Sequence, residues 1–137
     1  MKKKTCGIGT SALTEVMLLS MVSKYYFGTS DVKKLASSAR LGLSSYWRRS
    51  IQEEARQVAC WMLQRHCDLS LEELQQCDVL KELQWRATDI EVGVARARQK
   101  IDEGDFSFRL GVESVEQMLL ATFAGMSSHD TNTLGVK

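Results

Sequence analysis

Three times in the middle of the chain a serine or threonine is followed three residues later by a glutamate: Ser50 and Glu53, Ser70 and Glu73, Thr88 and Glu91. This spacing is the signature of a capping box. The hydroxyl accepts from the amide of the third helical residue, and the carboxylate reaches back to the cap amide. Three helix starts are therefore expected. After the first, Ile51, Ala55, Val58, Ala59, Met62 and Leu63 fall at i, i+4, i+7, i+8, i+11 and i+12, one face of an α-helix. Leu69 and Leu74 flank the second box where a hydrophobic staple would sit. Residues 50–74 should thus form two helices joined by a tight turn, a pattern shared by helix-turn-helix units and ordinary αα-hairpins.

The rest of the chain follows the same logic. It contains no proline and few strand-like alternations, so helices separated by glycine-marked turns are the simplest outcome. Leu13, Val16, Met17, Ser20 and Met21 share a helical face, predicting a helix over about residues 11–26 that Gly28 ends. Thr29 or Ser30 should cap a short helix over residues 31–38, with Val32 and Leu35 inward, and residues 39–50 should form a connecting loop. The third box opens a helix placing Ile90, Val94, Ala97 and Ile101 on the core. A closing helix over about residues 112–123 faces Val112, Val115, Leu119 and Phe123 inward and stops at Gly125. The expected fold is all-α, a compact bundle of about six helices containing a helix-turn-helix-like pair. Its single domain spans residues 11–125, between a disordered basic N-terminus (1–10) and a flexible tail (126–137).

Charge is unevenly spread. Residues 1–50 hold nine Lys and Arg against two acids, a net +7; residues 51–91 hold four against nine, a net −5; residues 92–137 hold five against six, a net −1. A basic end of this kind suits a polyanion. No apolar run approaches the ~20 residues of a membrane helix. Glu15 and scattered Ser and Thr interrupt any signal-peptide pattern, so a cytoplasmic, nucleoid-associated place is expected. Cys6, Cys60, Cys67 and Cys77 are expected as free thiols, since their spacing with His66 fits no zinc pattern. Two histidines and no phosphate-binding glycine loop leave little for catalysis, and no cofactor or metal is expected.

A family resemblance adds to this. Arg56-Gln57-Val58-Ala59, a gap of ten residues, then Ser70-Leu71-Glu72-Glu73-Leu74 resembles the C-terminal DNA-binding domain of the bacterial replication initiator DnaA, a TrpR-like helix-turn-helix. Val22-Ser23-Lys24-Tyr25-Tyr26, Val94-Ala95-Arg96-Ala97-Arg98-Gln99-Lys100-Ile101, and Asp105 with Phe108-Arg109 extend the similarity across roughly residues 13–119. The resemblance implies binding of double-stranded DNA. The loop arginines Arg40, Arg48 and Arg49 would lie against the minor groove, and Arg56, Gln57 and Ser70 at helix starts would touch phosphate. Arg86 and Arg96 would contact the DNA backbone, with Thr88 at the start of the helix that follows. Arginine suits phosphate because its fork is always charged and bidentate.

The chain departs from the family where bases are read. The Gly-Arg-Asp-His-Thr-Thr signature has no counterpart; Glu91-Val92-Gly93 stands there, offering acid and apolar groups where donors are needed. The expectation is a small non-enzymatic DNA-binding regulator of transcription or replication that does not read the DnaA box. The alternative is a helical protein–protein module that has lost base reading, using the acidic helices and exposed Trp61 and Trp85. Both readings admit a homodimer or a protein partner, and neither involves a membrane.

Overall fold

Ala55, Val58, Ala59, Met62 and Leu63 are all shut off from solvent, so the stripe after Ser50 is the centre of the core. They belong to the second of six α-helices among the described residues: α1 (Ile8–Phe27), α2 (Ser45–Cys67), α3 (Leu71–Gln75), α4 (Asp78–Glu82), α5 (Ala87–Glu103) and α6 (Phe106–Leu134). A 3-10 turn, Val32–Leu35, lies between α1 and α2. This is a computed structural model that describes the backbone of residues 8–35 and 45–134 and the side chains of residues 14–35 and 49–125. Helices α1, α5 and α6 pack around α2. The short α3 and α4 close the bundle with Leu74, Leu80, Leu83 and Trp85. The fold is all-α, as the patterning requires.

The second capping box forms as expected. Ser70 Oγ accepts from the Glu73 amide at 3.1 Å, and Glu73 Oε1 accepts from the Ser70 amide at 2.9 Å. The other two do not. Helix α2 starts at Ser45, so Ser50 lies inside it and caps nothing. Nothing in Ser45-Tyr46-Trp47-Arg48-Arg49 breaks a helix, and a serine whose amide already has a carbonyl four residues back has no orphan donor to satisfy. The expected loop over residues 39–50 is therefore helical from Ser45 onward, while residues 36–44 lie outside the described residues. Helix α5 starts at Ala87, one residue before Thr88. Asp89, not Glu91, closes the cap, its Oδ2 accepting from the Arg86 amide at 2.9 Å. Arginine has no acceptor, so only this returning half of a box forms.

The last helix begins six residues earlier than its apolar period suggests. Gly104 ends α5 in the left-handed region (φ 71°), and Asp105 caps α6 at once, its Oδ1 accepting from the Phe108 amide at 2.9 Å. Phe108 is then fully buried, whereas Phe123, expected inward, is 40% exposed. Gly125 does not stop the helix, which continues to Leu134 through the expected tail. A helical glycine costs only about 1 kcal/mol against alanine, too little to end a helix by itself; at Gly28 and Gly104 the glycine instead takes a left-handed turn (φ 76° and 71°). At the other end α1 already starts at Ile8, inside the segment expected to be disordered. It buries Leu18, Leu19 and Val22; of the expected face, Met17 and Met21 pack partly buried against the core and Val16 is exposed, while the Leu13 side chain lies outside the described residues. That stretch is apolar nearly all round, so period alone does not orient it.

Glu54 ties the bundle together. Its carboxylate accepts from the Tyr26 hydroxyl at 2.8 Å and from the Ser107 hydroxyl at 3.3 Å, with Lys100 Nζ at 4.0 Å, linking α2 to α1, α6 and α5. Burial, and then the Glu54 charge, push the Tyr26 phenol well above its ordinary value. Gly111 makes room for this phenol, since a Cβ at 111 would overlap Tyr26 Oη. Helix propensity alone makes Gly111→Ala stabilising by about 1 kcal/mol. The packing instead makes it destabilising by about 1–3 kcal/mol, and by less in a Tyr26→Phe background. Urea unfolding of the two single variants and the double variant checks the sign.

Candidate nucleic-acid interface

The 3-10 turn is built by short-range bonds. Thr29 Oγ1 accepts from the Asp31 amide at 3.2 Å, Asp31 Oδ1 accepts from the Lys33 amide at 3.0 Å, and the Ser23 hydroxyl donates to the Asp31 carbonyl at 2.9 Å. Leu35 then drops into the core. Gln52, itself buried, donates its side-chain amide to the Lys34 carbonyl at 2.9 Å and so fastens the turn to α2. Arg49 lies one helical turn before Gln52 on α2. Lys33, Lys34 and Arg49 are therefore brought to one edge of the molecule, all three exposed and none in an ion pair among the described residues. Arg48 belongs to the first turn of α2, with its side chain outside the described residues. Arg40 lies outside them altogether.

The arginine and glutamine of the Arg-Gln-Val-Ala motif are not on that edge. The Arg56 guanidinium lies 5.2 Å from the centroid of the Trp85 ring, and its Nε is buried without a partner. Gln57 is only 7% exposed, and its Oε1 also has no partner. Both side chains are held where α2 meets α5. They line a cleft of about 200 Å³ with Glu53 on α2 and Asp89, Val92, Gly93 and Arg96 on α5. Arg96 is thus brought to Arg56 and Gln57, whereas Ser70 is spent in its own cap. Arg86, 84% exposed, and Thr88 stand at the start of α5. Beside them α5 exposes Glu91 and Val92 in the place of the missing base-reading signature, one acidic and one apolar, while Arg96, Arg98 and Gln99 are exposed further along the helix.

Trp85 is a core residue, 4% exposed, because the chain turns inward after Gln84 (φ 65°). Trp61 is half-buried with Arg98 6.0 Å over its ring. Neither is the exposed aromatic expected for partner binding. Lys33 and Lys34 are candidate residues of this edge that sequence reasoning missed. Adjacent lysines after Asp31 look like a solvated turn, and their link to Arg49 runs through a hydrogen bond between residues 18 apart.

No helix of the described residues is long and apolar enough to cross a membrane, and none of their His, Cys, Asp and Glu side chains gather as three or more around a metal position. Cys60, Cys67 and Cys77 are free. Burial pushes the Cys60 thiol up to about 12 and, helped by Glu15, the Cys67 thiol up to about 11; Cys77 reaches about 11 by burial as well. Compared with known proteins, the chain matches no family model, no curated protein and no solved structure.

Two predictions follow from these placements. Ser70→Ala should lower stability by about 0.5–2 kcal/mol, as loss of a cap does, and leave any DNA affinity unchanged. The thiols lose their protons later in the folded chain than at the ordinary value of 9.0. Their contribution to stability is therefore full below pH 9 and is lost as pH rises through 11 and 12. Mass-spectrometric mapping of alkylation at pH 8 should accordingly find Cys60 modified far more slowly in the native protein than in urea. Equal rates would contradict the burial.

Proposed function

We propose that this protein is a small non-enzymatic helical protein that binds double-stranded DNA through the phosphate backbone, in the service of transcription or replication. The observation that supports it is the edge where the Gln52–Lys34 bond joins the 3-10 turn to α2, with Lys33, Lys34 and Arg49 exposed and in no ion pair among the described residues. Cations clustered on one rigid edge release condensed counterions from DNA, which gives affinity without sequence information. The similarity to the DnaA DNA-binding domain points the same way. The outward face of α5, with Glu91 and Val92, argues against base reading. Binding is accordingly assigned to the backbone alone.

A second reading, a protein–protein module, draws on a different surface. An apolar groove of about 410 Å³ between α1 and α6 is lined by exposed Val16 with Met17, Met21 and Met118. An absence of DNA binding at low salt shifts the assignment to this face.

Fluorescence anisotropy with a random-sequence duplex across a salt series tests the first reading. Wild-type binding should weaken steeply with salt. The Lys33→Ala, Lys34→Ala, Arg49→Ala triple variant should lose at least about tenfold in affinity and flatten the log–log salt slope by about 2–3 units. Arg65→Ala, about 24 Å further along α2, should change neither. Unaltered binding in the triple variant would overturn the assignment of this edge.

A further inference from the structure

We infer that the cleft between α2 and α5 is a binding site for a small zwitterion, a molecule of amino-acid size with one cationic and one anionic group. Four charged side chains line it: Glu53 and Asp89, Arg56 and Arg96. No ion pair joins any two of these four. Asp89 is engaged by the Arg86 amide at 2.9 Å and Arg86 Nε at 3.9 Å through one oxygen, leaving the other free. Trp85 covers the face of the Arg56 guanidinium, which leaves its in-plane N–H groups available. Opposite charges held apart in one cleft make a dipolar site. A lone anion or cation satisfies one half and is repelled by the other; a zwitterion satisfies both.

The second observation is independent of the charges. Gln57 is 7% exposed, lines the cleft, and has a side-chain oxygen without a partner; Arg56 Nε beside it is equally unpartnered. Buried polar atoms of this kind are rare in folded proteins and mark a place where a ligand or water completes the bonding. The terminal torsion of a glutamine is broad, so the Gln57 oxygen can turn toward an ammonium in the cleft. Gly93 keeps the floor open, and half-exposed Val92 supplies an apolar wall. The volume of about 200 Å³ is below the ~300–1,000 Å³ of sites for drug-sized ligands, which selects a small solute over a nucleotide. The ligand's ammonium goes to Glu53 and Gln57, and its carboxylate to the forks of Arg96 and Arg56.

Titration of the ¹⁵N-labelled full chain, followed by amide chemical shifts, tests this. The probes are glycine, L-alanine and trimethylglycine up to about 10 mM, ten times a millimolar Kd, with acetate and methylammonium as single-charge controls. Saturable shifts are expected at Gln57, Val92 and Gly93 with glycine and alanine. Binding should be weaker with trimethylglycine, which has no N–H for the Gln57 oxygen, and at least about tenfold weaker with either control. Glu53→Gln and Arg96→Gln, both exposed side chains, should each weaken glycine binding about tenfold while the spectrum elsewhere stays unchanged. The Lys33, Lys34, Arg49 triple variant should bind glycine normally, which separates this site from the DNA-binding edge. Absence of saturable shifts at the cleft, or controls that bind as tightly as glycine, would overturn the proposal.

Discussion

Helix α5 packs closely on α2 at Gly93: a Cβ there would sit 3.3 Å from Cys60 Sγ, a tight contact, and 3.7 Å from Arg56 Cγ, an ordinary one. Close approach at Gly93 lets the Arg56 stem lie flat between the helices and its guanidinium cover Trp85. That indole in turn closes the α3–α4 end of the core. The same approach removes Gln57 from solvent and strands its oxygen. The α2–α5 contact thus holds Arg56 and Gln57 in an interhelical cleft and not on an open face.

Where burial and local bonding agree, the sequence is easy to interpret. The Ala55-to-Leu63 stripe has polar residues on its other side, so its period identified the buried face of α2. Ser70 follows a chain reversal at Asp68 (φ 55°), so its hydroxyl had orphan amides to serve. Ser50 shows the same motif with a helix already running through it, because a capping signature reports what a residue can do and not whether the preceding chain is free. At the start of α5 the cap falls on Arg86 and not Thr88, so the third helical residue that reaches back is Asp89 and not Glu91. The face of α1 was illegible because apolar residues surround it. The basic edge was illegible because it depends on Gln52 reaching the Lys34 carbonyl, a tertiary bond that no local pattern encodes.

The charge split along the chain survives in space, but in a changed form. Lys33, Lys34 and Arg49 lie where the 3-10 turn meets α2, Lys24 lines the groove between α1 and α6, and several acids of the middle part lie on α3, α5 and the cleft. On the proposed reading, a phosphate backbone approaching Lys33, Lys34 and Arg49 would meet cations, and Glu91 and Val92 on α5 stand where the base-reading signature is missing. Affinity on that reading rests on the backbone contacts.

Selection of bound duplexes from a fully randomised pool, sequenced over successive rounds at moderate salt, tests that claim most directly. The account predicts retention of DNA with no consensus emerging, because backbone contacts do not distinguish sequences. Enrichment of a defined motif of several base pairs would contradict it and place base-reading groups on the outward face of α5 or on another part of the chain.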